Sequence, residues 1–145
     1  MLKEITVEDA ARMLKKHGIR PSTPRVLIYH YIYNHPEHPR AEHIFSILKQ
    51  DNPTLSLTTV YNTLKLLVDN HMLQAVPIEG NEMRYDANTA FHGHFKCRSC
   101  LKVFDFKAPV REKTLLPEGF FQVDQVNLDC YGICPDCSGT KTETV

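Results

Sequence analysis

Two CxxC pairs, Cys97-Arg-Ser-Cys100 and Cys134-Pro-Asp-Cys137, are separated by residues 101–133. Four thiolates in this pattern form a closed tetrahedral shell for Zn²⁺, an ion with no redox chemistry of its own, so the set fixes shape. A disulfide framework would need an oxidising compartment, and a redox dithiol is usually a single pair. Overlapping the first pair is a chemically different set, Asp86, His92, His94 and Asp105. Imidazole and carboxylate suit Fe²⁺, Mn²⁺ or exchangeable Zn²⁺. One site therefore holds structure while the other can respond. His92 and His94, two residues apart, share a face if they lie on a strand. The fifth cysteine, Cys130, falls in the alternating run from Phe121 to Asp129 and its opposite face, and is expected to be a small buried hydrophobe. His17, His30, His35, His43 and His71 stand alone and are read as structural.

These side chains need elements to carry them. Before Gly80 the apolar residues recur at helical spacing: Val7-Ala10-Ala11-Leu14, Val26-Tyr29-Ile32-Tyr33, Ile44-Phe45-Leu48 and Val60-Leu64-Leu67-Val68. Start signals accompany them, with Thr6 and Asp9 three residues on, Thr23 followed by Pro24, Pro39 before the third helix and Ser56 before the fourth. Met72 to Ile78 and Glu82 to Asp86 flank Glu79-Gly80-Asn81, which reads as a β-hairpin. Four helices followed by a hairpin predict a winged helix over 1–86, with a hinge at 87–90 where the chain turns small, polar and unpatterned.

The remainder, 91–145, predicts a small α/β unit: short strands around the first cysteine knuckle, a short helix at Pro109 to Leu115 and a longer strand from Phe120 to Tyr131. The polar residues from Ser138 to Val145 are expected to fray. A unit with so little core needs a metal staple, and its strand edges invite a second copy, so a homodimer is expected. The overall class is α+β.

Composition sets limits. Lys+Arg and Asp+Glu are 17 each, so a strongly basic surface, the simplest argument for nucleic-acid binding, is missing. At 42% hydrophobic residues the chain can fill ordinary cores. No cationic leader precedes an apolar run and no segment has the length of a membrane span, so a cytoplasmic protein with free thiolates and no membrane partner is expected. A case for DNA must come from pattern. Leu55-Ser-Leu-Thr-Thr-Val-Tyr-Asn-Thr-Leu-Lys-Leu-Leu67 supplies one: Ser56, Thr58 and Thr59 hydroxyls stand at its first turn, and Tyr61, Asn62 and Lys65 project away from the Val60-Leu64-Leu67 face. An amphipathic helix with a polar outer face would look the same, and the following hairpin favours the recognition helix.

Ser-x-Thr-Thr-Val-Tyr-Asn-Thr-Leu at 56–64, His-x-His-Phe-Lys-Cys-x-x-Cys at 92–100 and Tyr131-Gly-Ile-Cys-Pro-Asp-Cys137 together resemble the ferric uptake regulator (Fur) family. The likeness runs from Gly18-Ile-Arg-Pro-Ser-Thr-Pro-Arg25 to Cys137, with the motifs in the family's order. It implies a dimeric, metal-dependent transcriptional repressor with an N-terminal winged-helix domain and a C-terminal dimerisation domain, acting on double-stranded operator DNA. It places Tyr61 against thymine methyls, Arg20 near the minor groove, and Asn62 where many iron-sensing members carry arginine; the asparagine should shift readout toward adenine or weaken it. It adds His38 to Asp86, His92, His94 and Asp105 as a regulatory ligand set that closes the two domains on each other.

Aspartate at both 86 and 105 resembles the peroxide-regulator branch, where Fe²⁺ and peroxide oxidise a ligand histidine, His38 or His92 by match, while Mn²⁺ binds without reacting. This is self-inactivation, not turnover, so no enzyme and no small-molecule substrate is implied. The family's frequent His-His-x-Asp-His cluster is here Phe91-His92-Gly93-His94, a later histidine is Val126, and Leu101 stands where a glycine often follows the knuckle, although Glu112 is retained. A third metal site is accordingly not expected. Rival readings are iron-dependent control of uptake, and zinc sensing, which commonly recruits a cysteine that is missing near Asp86. From other classes come a zinc-stapled interaction module and a metal-dependent hydrolase, the latter lacking a separate general base.

Overall fold

The computed structural model describes residues 2–119 and 121–139, and begins with α1, Val7–Lys16. Thr6 and Asp9 form a reciprocal capping box: Asp9 N–H donates to Thr6 Oγ1 at 3.1 Å and Thr6 N–H to Asp9 Oδ2 at 3.0 Å. Gly18 ends the helix at φ 73 in a left-handed cap. In α2, Thr23–Asn34, the cap is Ser22 and Thr23 is already helical, one residue from expectation. For α3, Ala41–Leu48, the cap is Arg40 rather than Pro39. Ser56 caps α4, Leu57–Asp69, as expected, its Oγ accepting from Thr59 N–H at 3.1 Å.

The four apolar faces meet in one core, including Leu14, Ile28, Ile32, Ile44, Val60, Leu64 and Leu67. At roughly 1.5–3 kcal/mol per fully buried aliphatic side chain, this packing outweighs any helix propensity. Strands β1, Gln74–Glu79, and β2, Glu82–Asp86, pair antiparallel beside it through Gly80 at φ 54. The register shifts between Val76 and Glu79, where Pro77 has no N–H to give the ladder. A bridge between Arg40 and Arg84, and a Tyr85 N–H bond to the Pro39 carbonyl at 3.1 Å, tie β2 to the chain entering α3. This unit, Met1–Thr89, is a winged helix.

The second compact unit, Ala90–Val145, is built on a three-stranded sheet of order β4-β3-β5. Central β3, Gly93–Cys97, pairs antiparallel with β4, Val103–Phe106, and parallel with β5, Asp129–Gly132. A Cβ at residue 93 would overlap the Phe106 ring, which accounts for glycine between the two histidines. Among its described residues the crossover holds a 3-10 turn, Glu112–Leu115, in place of the expected helix, and a four-residue helix α5, Pro135–Ser138, carries the second knuckle.

Two expectations fail here. Residues 121–128 form no strand: both edges of β3 are already taken, and the Leu128 carbonyl, which accepts from His94 N–H at 2.9 Å, marks where the pairing with β5 begins; Phe120 lies outside the described residues, as do residues 140–145 of the expected frayed tail. Cys130 is exposed rather than core, since β5 has a neighbour on one side only. Among the described residues, no helix is long and apolar enough to cross a membrane.

Candidate metal centres and nucleic-acid interface

Each CxxC loops back on itself. Leu101 N–H bonds the Cys97 carbonyl at 3.0 Å and Cys137 N–H the Cys134 carbonyl at 3.1 Å. Leu101 takes φ 64, the left-handed conformation for which a glycine is better suited, yet all four thiols keep their places. One sulfur from each of Cys97, Cys100, Cys134 and Cys137 lies within 4.8 Å of every other, with Cys97 and Cys134 buried. The amides of Cys100 and Cys134 pull the Cys97 thiol down to about 6. Cys134 N–H bonds Cys97 Sγ at 3.3 Å. Although the Cys137 amide favours its thiolate, Cys134 is pushed up to about 12 by burial and by the sulfurs of Cys137, Cys97 and Cys100. One thiol of the cluster ionises readily and another resists. A divalent cation supplies the charge that lets all four ionise together, so the donor set fits tetrahedral Zn²⁺.

In the winged-helix unit, His38 and Asp86 meet at the base of β2. Both are buried, at 2% and 6% exposure, with His38 Nε2 3.3 Å from Asp86 Oδ2. Asp86 Oδ1 accepts from Asn88 N–H at 2.8 Å, which fixes the carboxylate. His38 has φ 58 although it carries a Cβ and precedes Pro39. Such a conformation costs on the order of 1–3 kcal/mol and persists only where its surroundings over-determine it. They do: Arg84 Nη1 donates to the His38 carbonyl at 3.3 Å, next to the Arg40–Arg84 bridge.

In the sheet unit, His94 on β3 and Asp105 on β4 are register partners, and His92 directly precedes β3 on the same side. His92 Nε2 and His94 Nε2 approach Asp105 Oδ1 at 3.1 and 3.5 Å. His92 Nδ1 lies 2.6 Å from the Ala90 carbonyl, which can only accept, so Nδ1 carries the proton and Nε2 the lone pair. Two lone-pair-bearing atoms thus face each other across 3.1 Å, and a proton or cation must mediate between them. Asp105 is 38% exposed on its side-chain atoms, leaving the group open on one side.

Sequence reasoning missed Asp129. It is the register partner of His94 on β5, with Oδ1 3.7 Å from His94 Nδ1. Burial pushes its carboxyl above the ordinary value while the His94 ring pulls the other way. Only the parallel β3–β5 register could have revealed it.

The proposed DNA-facing residues share α4 and the chain before α2. Arg20, Ser56, Tyr61, Asn62 and Lys65 are exposed and Thr59 is half-buried. Ser56 already caps the helix by accepting from Thr59 N–H, and the two hydroxyls lie 2.9 Å apart. Lys65 Nζ is 2.7 Å from Asp69 Oδ2. The Tyr61 hydroxyl donates to Glu42, which holds that carboxyl below its usual value and raises the phenol. Its ring stays 44% exposed. The isolated histidines have local partners: Tyr31 stacks on His35 at 4.0 Å and contacts His43 Nε2 at 3.2 Å through its hydroxyl, His30 Nε2 meets Asn34 at 3.0 Å, and His17 Nδ1 the Met13 carbonyl at 2.9 Å. His71 supplies the left-handed residue, φ 57, that closes α4.

A model of the ferric uptake regulator family matches residues 16–131. The peroxide-responsive repressor PerR of Staphylococcus aureus is 31% identical over 137 residues, spanning 92% of this chain and 93% of that protein. The ferric uptake regulator of Helicobacter pylori, whose structure is described as revealing three functional metal binding sites, aligns with a TM-score of 0.73 at 21% identity over 98% and 100% of the two chains, a likeness of fold. That of Vibrio cholerae, described as showing a structural rearrangement of its DNA-binding domains, aligns with a TM-score of 0.68 at 26% identity over 86% and 98%.

Proposed function

Since the chain belongs to the ferric uptake regulator family, we propose that it is a metal-dependent, DNA-binding transcriptional repressor whose regulatory metal reports peroxide. The observation that carries this reading is that each unit holds an incomplete donor set. His38 and Asp86 are buried and rigidly held in the winged helix, while His92, His94 and Asp105 converge in the sheet unit. Neither set is a full coordination shell. Together they offer three imidazoles and two carboxylates, a donor set that fits Fe²⁺ or Mn²⁺.

In this reading the segment 87–90 is the hinge, the zinc held by the four cysteines is structural, and the protein works in the cytoplasm as a homodimer paired through the sheet units. Metal binding favours only the arrangement in which both sets reach one ion, and DNA favours the same arrangement. Moving such an equilibrium from 1:99 to 99:1 requires about 5.5 kcal/mol of differential binding, well within reach of two or three metal–ligand bonds.

Aspartate at 86 and 105, and the likeness to a peroxide-responsive repressor, support peroxide as the signal. His92 and His38 would be among the residues holding Fe²⁺ here, and the chemistry that ion would supply is activation of hydrogen peroxide by an electron lent and then recovered, so that one peroxide oxygen would enter a carbon–hydrogen bond of a ligand imidazole and the other would leave as water. An oxidised ring is a poorer donor, so the domains part and DNA is released.

The test loads protein with Fe²⁺ or Mn²⁺ in the absence of oxygen, adds dilute peroxide, and follows DNA binding together with the masses of the His38 and His92 peptides. Loss of DNA binding with one oxygen gained on either histidine, in the Fe²⁺ sample alone, is the expected result. Binding that simply tracks Fe²⁺ concentration, with both histidines intact, would make the protein an iron-uptake regulator.

Readout of DNA falls to α4. Tyr61, anchored by Glu42, presents its ring face to a thymine methyl. Tyr61→Ala is expected to weaken binding to an operator selected from a random pool by about 1–3 kcal/mol, with Tyr61→Phe nearly unchanged. Fluorescence anisotropy on selected and scrambled duplexes measures this, and an equal loss on both would refute base contact.

A further inference from the structure

His94 occupies the middle of a row that crosses the whole sheet: Asp105 on β4, His94 on β3 and Asp129 on β5 are consecutive register partners. Its Nε2 faces Asp105 and its Nδ1 faces Asp129. The two strands are locked at this level, since His94 N–H bonds the Leu128 carbonyl at 2.9 Å. His94 is almost fully buried and the Asp129 side chain only 18% exposed, so water has little part in their contact. The neighbouring ligand candidate solves the same problem differently, with a backbone carbonyl from Ala90 holding Nδ1 of His92.

We propose that Asp129 is the positioning residue of the regulatory metal site: its Oδ1, buried with no hydrogen-bond partner among the described residues and 3.7 Å from His94 Nδ1, closes that short gap to accept the Nδ1 proton, fixes the ring so that the Nε2 lone pair points to the ion, and is not itself a ligand. The assignment rests on the reading of His94 as a regulatory ligand. Asp129 lies on the edge of the imidazole away from the side that Asp105 faces, so it cannot share an ion with Nε2. What it contributes is orientation and negative charge: an imidazole that donates to a carboxylate is a stronger base toward a cation, and such partners typically affect metal affinity about 10–100-fold. The two histidines therefore differ in kind, one tuned by an anion and the other by a neutral carbonyl.

The experiment uses full-length, zinc-loaded protein and Mn²⁺ as the probe, with affinity read by competition against a fluorescent chelator. Asp129→Ala is expected to weaken Mn²⁺ binding by about 10–100-fold, and Asp129→Asn less, because its amide oxygen still accepts from Nδ1–H but carries no charge. Zinc content and melting temperature should hold in both. In parallel, long-range proton–nitrogen correlation spectra without Mn²⁺, at mildly alkaline pH, should show His94 of the wild type as the Nδ1–H tautomer and Asp129→Ala as a mixture. Unchanged Mn²⁺ affinity, a loss that comes only with a matching drop in melting temperature, or an Nε2–H tautomer in the wild type would each overturn the assignment. Failure of the wild type to bind Mn²⁺ would remove the regulatory-site reading, while the tautomer spectra would still decide what Asp129 does to His94.

Discussion

Cys97→Ser is expected to yield protein that retains less than one zinc per chain and loses its C-terminal sheet while its winged helix stays folded. The reason lies in where the two units keep their buried apolar groups. The winged helix has a continuous core from Ala10 to Tyr85. In the sheet unit the described residues include just three buried hydrophobics, Cys97, Val103 and Cys134, and two of them are thiols of the cluster.

Burying one valine stabilises by roughly 1.5–3 kcal/mol. Ordering each backbone residue costs about 1–2 kcal/mol, so a unit of this size cannot fold on that packing. Structural zinc, at roughly 10–16 kcal/mol in small domains, is the contribution of the right size. Cys97 is also the most deeply built of the four: it is fully buried, accepts the Cys134 amide at its sulfur and the Leu101 amide at its carbonyl. Serine would leave three thiolates and a buried hydroxyl facing them. Metal analysis and amide hydrogen exchange measure the outcome. Full protection across β3, β4 and β5 without zinc would sink the idea of a metal-built unit.

What the sequence disclosed depended on how locally each feature is encoded. The four helices were legible because one amphipathic stripe specifies each, and the zinc cluster because a CxxC is a four-residue motif that carries its own turn. The cap of α2 slipped by one residue, since proline fits the first or second helical position equally well and Ser22 and Thr23 are chemically alike, while Pro39 precedes the Arg40 cap of α3 from outside the helix. The alternation of Phe121, Val123 and Gln125 looked like a strand, but a strand exists only where a neighbour can complete its ladder, and alternation does not say whether one is present. Cys130 was misplaced for the same reason: an edge position is a property of the sheet.

The proposed regulatory residues divide the same way. His92 and His94 could be paired on paper because a strand puts them on one side. Asp129 could not, because its partner is far away in the chain and only the register of two parallel strands joins them. His38 entered the proposed set through family likeness alone. Nothing in His35-Pro-Glu-His38-Pro announces a histidine at positive φ, which arises from the clamp between β2 and the chain entering α3.

That clamp makes His38→Ala the sharpest probe of the proposed regulatory site. The strain at φ 58 stays, since alanine keeps its Cβ, so the substitution changes only what the imidazole touches. Asp86, 6% exposed, loses the imidazole. A buried polar group deprived of a partner costs about 1–3 kcal/mol, a lowering that the winged-helix core can absorb without unfolding. The functional loss should be far larger: Mn²⁺ affinity at least about 10–100-fold weaker, since a direct ligand matters no less than its outer partner, and operator binding with Mn²⁺ falling toward the metal-free level. Zinc content and dimer mass should hold.

Asp105→Ala should match it in Mn²⁺ affinity without touching winged-helix stability, because that carboxylate belongs to the other unit. The double substitution then carries the argument. If His38 and Asp105 serve one ion, the effects on metal-dependent DNA binding will be strongly non-additive, the second change costing little once the first has broken the link between the units. Independent, additive losses would mean two unrelated sites, and a collapsed His38→Ala protein would mean that a core residue has been mistaken for a ligand.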